Sequence, residues 1–108
     1  YNQGPLDMNK YQQQAETTII YKKEDVITYP TMALAGEVGE VANKVKKCMR
    51  GGELDRQGIS DEIGDCLWYI AALCRDLNLD METVAYENLE KLHSRQKRGT
   101  LRGNGDKR

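Results

Sequence analysis

Two acidic doublets, Glu37-x-x-Glu40 and Glu62-x-x-Asp65, constrain this chain more than any other feature. Each sits inside a helix-like apolar pattern, and residues three apart on a helix share a face with Cβ atoms about 5–6 Å apart. Glu37 and Asp65 are equidistant from residue 51, and so are Glu40 and Glu62. Gly51 and Gly52 stand at that midpoint, and glycine commonly ends helices. A turn centred there makes two antiparallel helices whose inner faces carry four carboxylates at matched heights. Unbalanced charges so close repel by several kcal/mol at intermediate dielectric. They need a hard divalent cation, and an oxygen-only ligand set points to Mg²⁺ or Mn²⁺.

The plainer account of an acidic doublet is a solvated helix face, and for one doublet alone it would suffice. The flanking residues argue against it here. Leu34, Val38, Val41, Val45 and Met49 form an apolar stripe with Glu37 and Glu40 along its edge. Ile63, Cys66, Ile70, Cys74 and Leu77 form a second stripe, flanked by Glu62 and Asp65. These carboxylates border a core.

The pattern predicts four helices, over about 8–21, 31–50, 60–77 and 81–98, and an all-α fold. Pro30 suits a helix N-terminus and pushes Tyr29 towards extended geometry. Ser60 is the expected cap of the third helix and Asp80 of the fourth. Residues 8–98 form the helical domain and 99–108 a basic tail. Residues 1–7 are set aside, because Gln3-Gly4-Pro5 resembles a protease-site remnant. With 108 residues there is room for one domain and a modest core. Trp68 lies off the main stripe of its helix, either as oligomerisation surface or as packing against the first helix.

The formal charge is −1, which gives no global argument for nucleic acid. Lys91, Arg95, Lys97, Arg98, Arg102, Lys107 and Arg108 make the C-terminal end basic, fit either for a polyanion such as a triphosphate or for solvent. No apolar run approaches the roughly 18 residues of a membrane span, and no signal peptide is visible. Cys48, Cys66 and Cys74 lie on apolar stripes without metal-site or disulfide spacing, so reduced, buried thiols in a cytoplasmic protein are expected.

Cations near the acids are candidates for phosphate contacts. Lys44 follows Glu40 by one turn, where an ordinary i,i+4 ion pair is the alternative, and Lys47 comes next. On the fourth helix Asn88, Lys91 and Arg95 form one stripe, or else a solvated face. Tyr69 lies one turn beyond Asp65 and lines either a nucleoside pocket or the core edge. Gln12, Gln13 and Gln14 on the first helix carry amides able to read a base edge, Gln14 among them, although surface glutamines are commonly just solvated.

The segments Gly36-Glu37-Val38-Gly39-Glu40-Val41-Ala42 and Asp61-Glu62-Ile63-Gly64-Asp65-Cys66-Leu67-Trp68-Tyr69 resemble the signature of the MazG-like, all-α nucleoside triphosphate pyrophosphohydrolases. The likeness runs over roughly residues 30–105 and extends to Asn88-Leu89-Glu90-Lys91-Leu92, Arg95 and Arg98-Gly99-Thr100. Gly36 stands where many relatives carry a further Glu. Gly39 and Gly64 match as well, and close helix approach around the ions is a sufficient reason for glycine there. The resemblance implies a four-helix bundle that hydrolyses a (d)NTP to the monophosphate and pyrophosphate. Two or more Mg²⁺ or Mn²⁺ ions would be held by Glu37, Glu40, Glu62 and Asp65. Water would attack the α-phosphorus, with Glu37 or Glu40 accepting its proton. It further implies a homo-oligomer, a dimer or a tetramer built as a dimer of dimers, with sites completed across a subunit interface, and a nucleoside near the first helix.

Two other readings compete. Di-iron carboxylate bundles pair Glu with Glu-x-x-His, whereas the one histidine here, His93, lies outside both doublets. A non-enzymatic helical interaction module would use the basic end but leave the aligned carboxylates unexplained.

Overall fold

The computed structural model describes residues 4–99. Four α-helices follow one another: α1 (Met8–Glu16), α2 (Thr28–Lys46), α3 (Arg56–Asp76) and α4 (Met81–Lys97). Short 3₁₀ turns at Lys23–Asp25 and Lys47–Arg50 precede and follow α2, and among the described residues there is no strand. The expected all-α class is what forms. The basic tail lies outside the described residues from Thr100 onward.

The helix ends differ from the sequence expectation for local reasons. Helix α1 stops at Glu16 rather than near Tyr21, because the Thr17 and Thr18 hydroxyls donate to the Gln14 and Ala15 carbonyls, both at 2.7 Å. The Thr17 and Thr18 amides bond to the same two carbonyls in i→i+3 fashion, so the last turn tightens and stops, and Ile20 is left 95% exposed. Asp7, grouped above with the segment set aside, caps α1 by accepting from the Lys10 amide at 2.8 Å. Helix α2 begins at Thr28, with Tyr29 helical and Pro30 still in the first turn, where a missing N–H is harmless. Its last turn tightens into 3₁₀ geometry and closes on Gly51 in the left-handed region at φ 92°, as a glycine breaker should. Helix α3 starts at Arg56 instead of Ser60: Asp55 accepts from the Gly58 amide at 2.9 Å and supplies the cap. A Cβ at Gly58 would collide with that capping carboxylate, so any larger residue there would displace the cap. Asp80 caps α4 as expected, accepting both the Thr83 amide and the Thr83 hydroxyl at 2.9 Å.

The connection between α1 and α2 is tied to the far end of α3. The Asp76 side chain is fully buried, and its Oδ2 accepts the Tyr21 hydroxyl at 2.7 Å and the Ile27 amide at 2.9 Å. Ile27 itself sits at φ 70°, ψ −52°, and the Thr28 amide donates to the Val26 carbonyl at 2.8 Å. This is the rare γ-turn with positive φ, strained for a β-branched residue by about 1–3 kcal/mol.

Helix α2 packs chiefly on α3, while α1 packs on α3 and touches α4. The buried core is small: Ala15, Ala71, Cys74 and Met81, with Tyr11 and Trp68 against it. Trp68 therefore packs towards α1, and its indole donates to the Thr18 hydroxyl at 2.7 Å. Much of the two apolar stripes remains uncovered. Val38, Val45, Met49, Ile63 and Ile70 are exposed, and of the three thiols, all free, only Cys74 is buried.

Gln12 locks α1 to the start of α4. Its Oε1 accepts the Met81 amide at 2.7 Å and its Nε2 donates to the Leu79 carbonyl at 2.9 Å. Gln12→Ala strands two backbone groups and is expected to lower the unfolding free energy by about 2–4 kcal/mol. Urea titration checks this, with the neighbouring Gln13→Ala changing it by less than about 0.5 kcal/mol.

Candidate metal centre

Helix α2 contributes Glu37, and α3 contributes Glu62 and Asp65. One oxygen from each lies within 4.8 Å of the others. Three of the four carboxylates singled out by sequence thus come together. Glu40 is exposed and stands outside the triplet, although its charge still acts on Glu37. The i to i+3 spacing of Glu62 and Asp65 puts both on one face of α3, and the packing of α2 on α3 brings Glu37 to them.

The electrostatics are those of an unneutralised site. Contact with Glu62 pushes the Glu37 pKa up, burial adds to it, and Asp65, Glu62 and Glu40 contribute their negative field. Glu37 Oε2 is sealed from solvent and has no hydrogen-bond donor. Two carboxylates in contact hold together only through a shared proton or a cation. The same field, after burial, raises the Cys66 thiol, and it raises Tyr11 through Asp65. Oxygen-only donors and an orphaned buried oxygen fit a hard divalent cation.

The other predicted site residues divide. Lys44 reaches Glu62 at 3.6 Å across the helix pair instead of pairing with Glu40 along its own helix. Tyr69 joins Thr18, Ile20, Trp68, Glu37 and Asp65 around an open hollow of about 420 Å³ beside the carboxylates. Burial, the Tyr29 hydroxyl, then Glu37 and Asp65 hold the Tyr69 pKa above its usual value. Lys47 lies on the 3₁₀ turn after α2, exposed. Asn88 and Lys91 are exposed on α4, and Arg95 is buried there; neither Asn88 nor Lys91 bonds to the triplet. The glutamines do not read this hollow. Gln12 is spent on the α3–α4 connection, Gln13 lines a polar hollow with Arg75 and Asn78, and Gln14 lines an apolar one with Tyr11 and Trp68.

Sequence reasoning missed an aromatic wall. Tyr21 stacks on Tyr29 with ring centroids 5.1 Å apart, Tyr29 lies 6.2 Å from Tyr69, and Trp68 meets Tyr69 edge-on at 5.0 Å. These rings with Ile20, Lys22 and Asp25 line a second hollow of about 340 Å³. It shares Ile20, Trp68 and Tyr69 with the one over the acids. The available signal was two tyrosines flanking the α1–α2 connection. The glycines inside the doublets contradict the expectation of close approach: a Cβ at Gly39 or Gly64 would meet nothing within 4 Å.

Residues 28–100 match the MazG nucleotide pyrophosphohydrolase domain. The chain is 40% identical over 114 aligned positions to the Gene 37 protein of Mycobacterium phage L5, an alignment covering 95% of this chain and 100% of that protein. That protein's name states no activity. No solved structure matches the chain.

The raised Glu37 group gives the metal-free protein a definite pH dependence. Folded Glu37 binds its proton more tightly than in the unfolded chain, where its pKa is near 4.5. Its contribution to stability is therefore fully present below that pH and declines as pH rises through the folded value. Mg²⁺ or Mn²⁺ at about 100 times its dissociation constant should add about 2.7 kcal/mol at neutral pH. Thermal melts across pH, with and without metal, check this, and Glu37→Gln should raise metal-free stability and suppress the metal response.

Proposed function

This chain belongs to the MazG nucleotide pyrophosphohydrolase family, and on that footing we propose that it hydrolyses a (d)NTP to the (d)NMP and pyrophosphate, with water attacking the α-phosphorus. The observation that carries this reading is the triplet of Glu37, Glu62 and Asp65 from two helices, with one buried oxygen lacking any donor. Family members are typically metal-dependent, and these oxygens favour Mg²⁺ over softer ions, with Mn²⁺ as its closest substitute.

When bound, the ions supply charge neutralisation for the phosphates and a lowered pKa for an attached water. The chain's own residues set the rest. Glu37, Glu62 and Asp65 would hold the ions, and Glu40, one turn along and outside the triplet, would either add a further carboxylate ligand or accept the water's proton. Lys44, held at Glu62, balances charge at the rim and can turn to a phosphate oxygen. Tyr69 sits where the metal end meets the aromatic hollow, so a nucleoside there would leave its phosphates beside Glu37 and Asp65. The start of α2 meets the end of α3 at Ile27 and Asp76, while Lys44 near its end meets Glu62 in the earlier part of α3, which supports an antiparallel pair.

We further read the working form as a homo-oligomer, a dimer or a dimer of dimers. The exposed stripes on α2 and α3, and the open space at Gly39 and Gly64, support a neighbouring chain closing on this face. In that arrangement the exposed Asn88 and Lys91 would serve a neighbour's phosphates, whereas Arg95 is buried within its own chain. A helical interaction module remains the alternative, and it gives no role to the triplet.

A panel of all (d)NTPs with Mg²⁺ or Mn²⁺ tests the reaction, with products separated by chromatography. Monophosphate plus pyrophosphate is expected, and Glu62→Gln should lower kcat by about 100-fold or more. Diphosphate plus phosphate would refute attack at the α-phosphorus, and absence of turnover on every nucleotide would favour the interaction module.

A further inference from the structure

Asp76 has no place in the metal chemistry, yet it is a buried carboxylate of a kind proteins seldom retain. Its side chain is wholly buried. Oδ1 has no aligned hydrogen bond, only the Arg75 Nε at 3.2 Å. Burying a charge that is incompletely paired is unfavourable, so what it holds must matter.

What it holds is the frame of the aromatic hollow. One oxygen takes the Tyr21 hydroxyl and the Ile27 amide, from the middle and the end of the α1–α2 connection. Burial, then Asp76, keep the Tyr21 pKa far above any working pH, so its hydroxyl remains a donor. Tyr21 in turn stacks on Tyr29, and Tyr29 abuts Tyr69 beside the acids. The γ-turn at Ile27 is strained, and the Asp76 bond to its amide opposes the relaxation that would swing Tyr29 away.

We propose that Asp76 is a positioning residue for nucleobase binding: through Tyr21 and Ile27 it fixes Tyr29 against Tyr69, so that the aromatic hollow is preformed to stack a planar base. This rests on the reading that the nucleoside occupies the hollow shared by Trp68 and Tyr69. Stacking on fixed rings tolerates any base and is weakened when the rings must be ordered on binding. Asp76 thereby governs affinity at the nucleoside end without touching substrate.

The test is calorimetric titration of the full chain, with Mg²⁺, against the four α,β-imido deoxynucleoside triphosphates and against pyrophosphate. Tyr21→Phe keeps the ring and deletes its bond to Asp76. It should raise the Kd of the best-bound analogue about tenfold while leaving pyrophosphate within about twofold. Asp76→Ala should do the same or more, and Asp76→Asn, which retains an acceptor oxygen, should recover most of the loss. Should Asp76→Ala not fold by circular dichroism, Tyr21→Phe decides alone. Equal weakening of nucleotide and pyrophosphate would overturn the proposal, since Asp76 would then merely hold the fold together. Unchanged nucleotide affinity in Tyr21→Phe, with Tyr69→Ala weakening it, would overturn the proposal and leave the nucleoside pocket standing. Unchanged affinity in Tyr69→Ala as well would remove the pocket, and the proposal with it.

Discussion

Glu37, Glu62 and Asp65 bring three carboxylates to one place, where their mutual repulsion calls for something positive, and the rest of the molecule is arranged around that constraint. Helix α2 faces α3 through acidic groups where a stable helix pair would ordinarily place apolar ones. Lys44 at Glu62 offsets part of the repulsion, and contact with Glu62, burial and the remaining negative field push the Glu37 pKa up. Folding and ligand capture therefore pull in opposite directions at one place. The arrangement that is unfavourable in the bare chain is the one that leaves oxygen atoms ready for a cation.

The apolar core lies where α1 and α3 meet the start of α4. It is built largely from small residues such as Ala15, Ala71 and Cys74, which let the helices approach closely. Polar ties do much of the long-range fastening: Gln12 to the α3–α4 connection, Trp68 to Thr18, Asp76 to Tyr21 and Ile27. Beyond these ties, α2 and α3 carry aliphatic side chains that the described residues leave partly exposed.

Features written in short-range patterns were legible in the sequence. The doublets declare themselves by helical spacing, Gly51 by its place between them, and Asp80 by the cap position ahead of α4. Where a competing local interaction won, the reading slipped: the Thr17 and Thr18 hydroxyls end α1 early, and Asp55 starts α3 before Ser60 can. Periodicity also placed Val38 and Ile63 on stripes without saying whether one chain alone could bury them. Ties made between distant residues had no signature at all. Nothing near Asp76 in sequence marks it as the acceptor for a tyrosine and an amide from the α1–α2 connection, and nothing near Gln12 distinguishes it from its neighbours Gln13 and Gln14.

Asp76 also occupies the last turn of α3, where the helix macrodipole presents its negative pole. A carboxylate there opposes the dipole, whereas Lys or Arg would complement it. Variants chosen for heat resistance alone would be expected to drift towards a cation or a neutral residue at this position. The gain in α3 would come with a slackened connection between α1 and α2. Robustness and affinity for a nucleoside would then trade against each other at one residue that touches neither the carboxylate triplet nor the ligand.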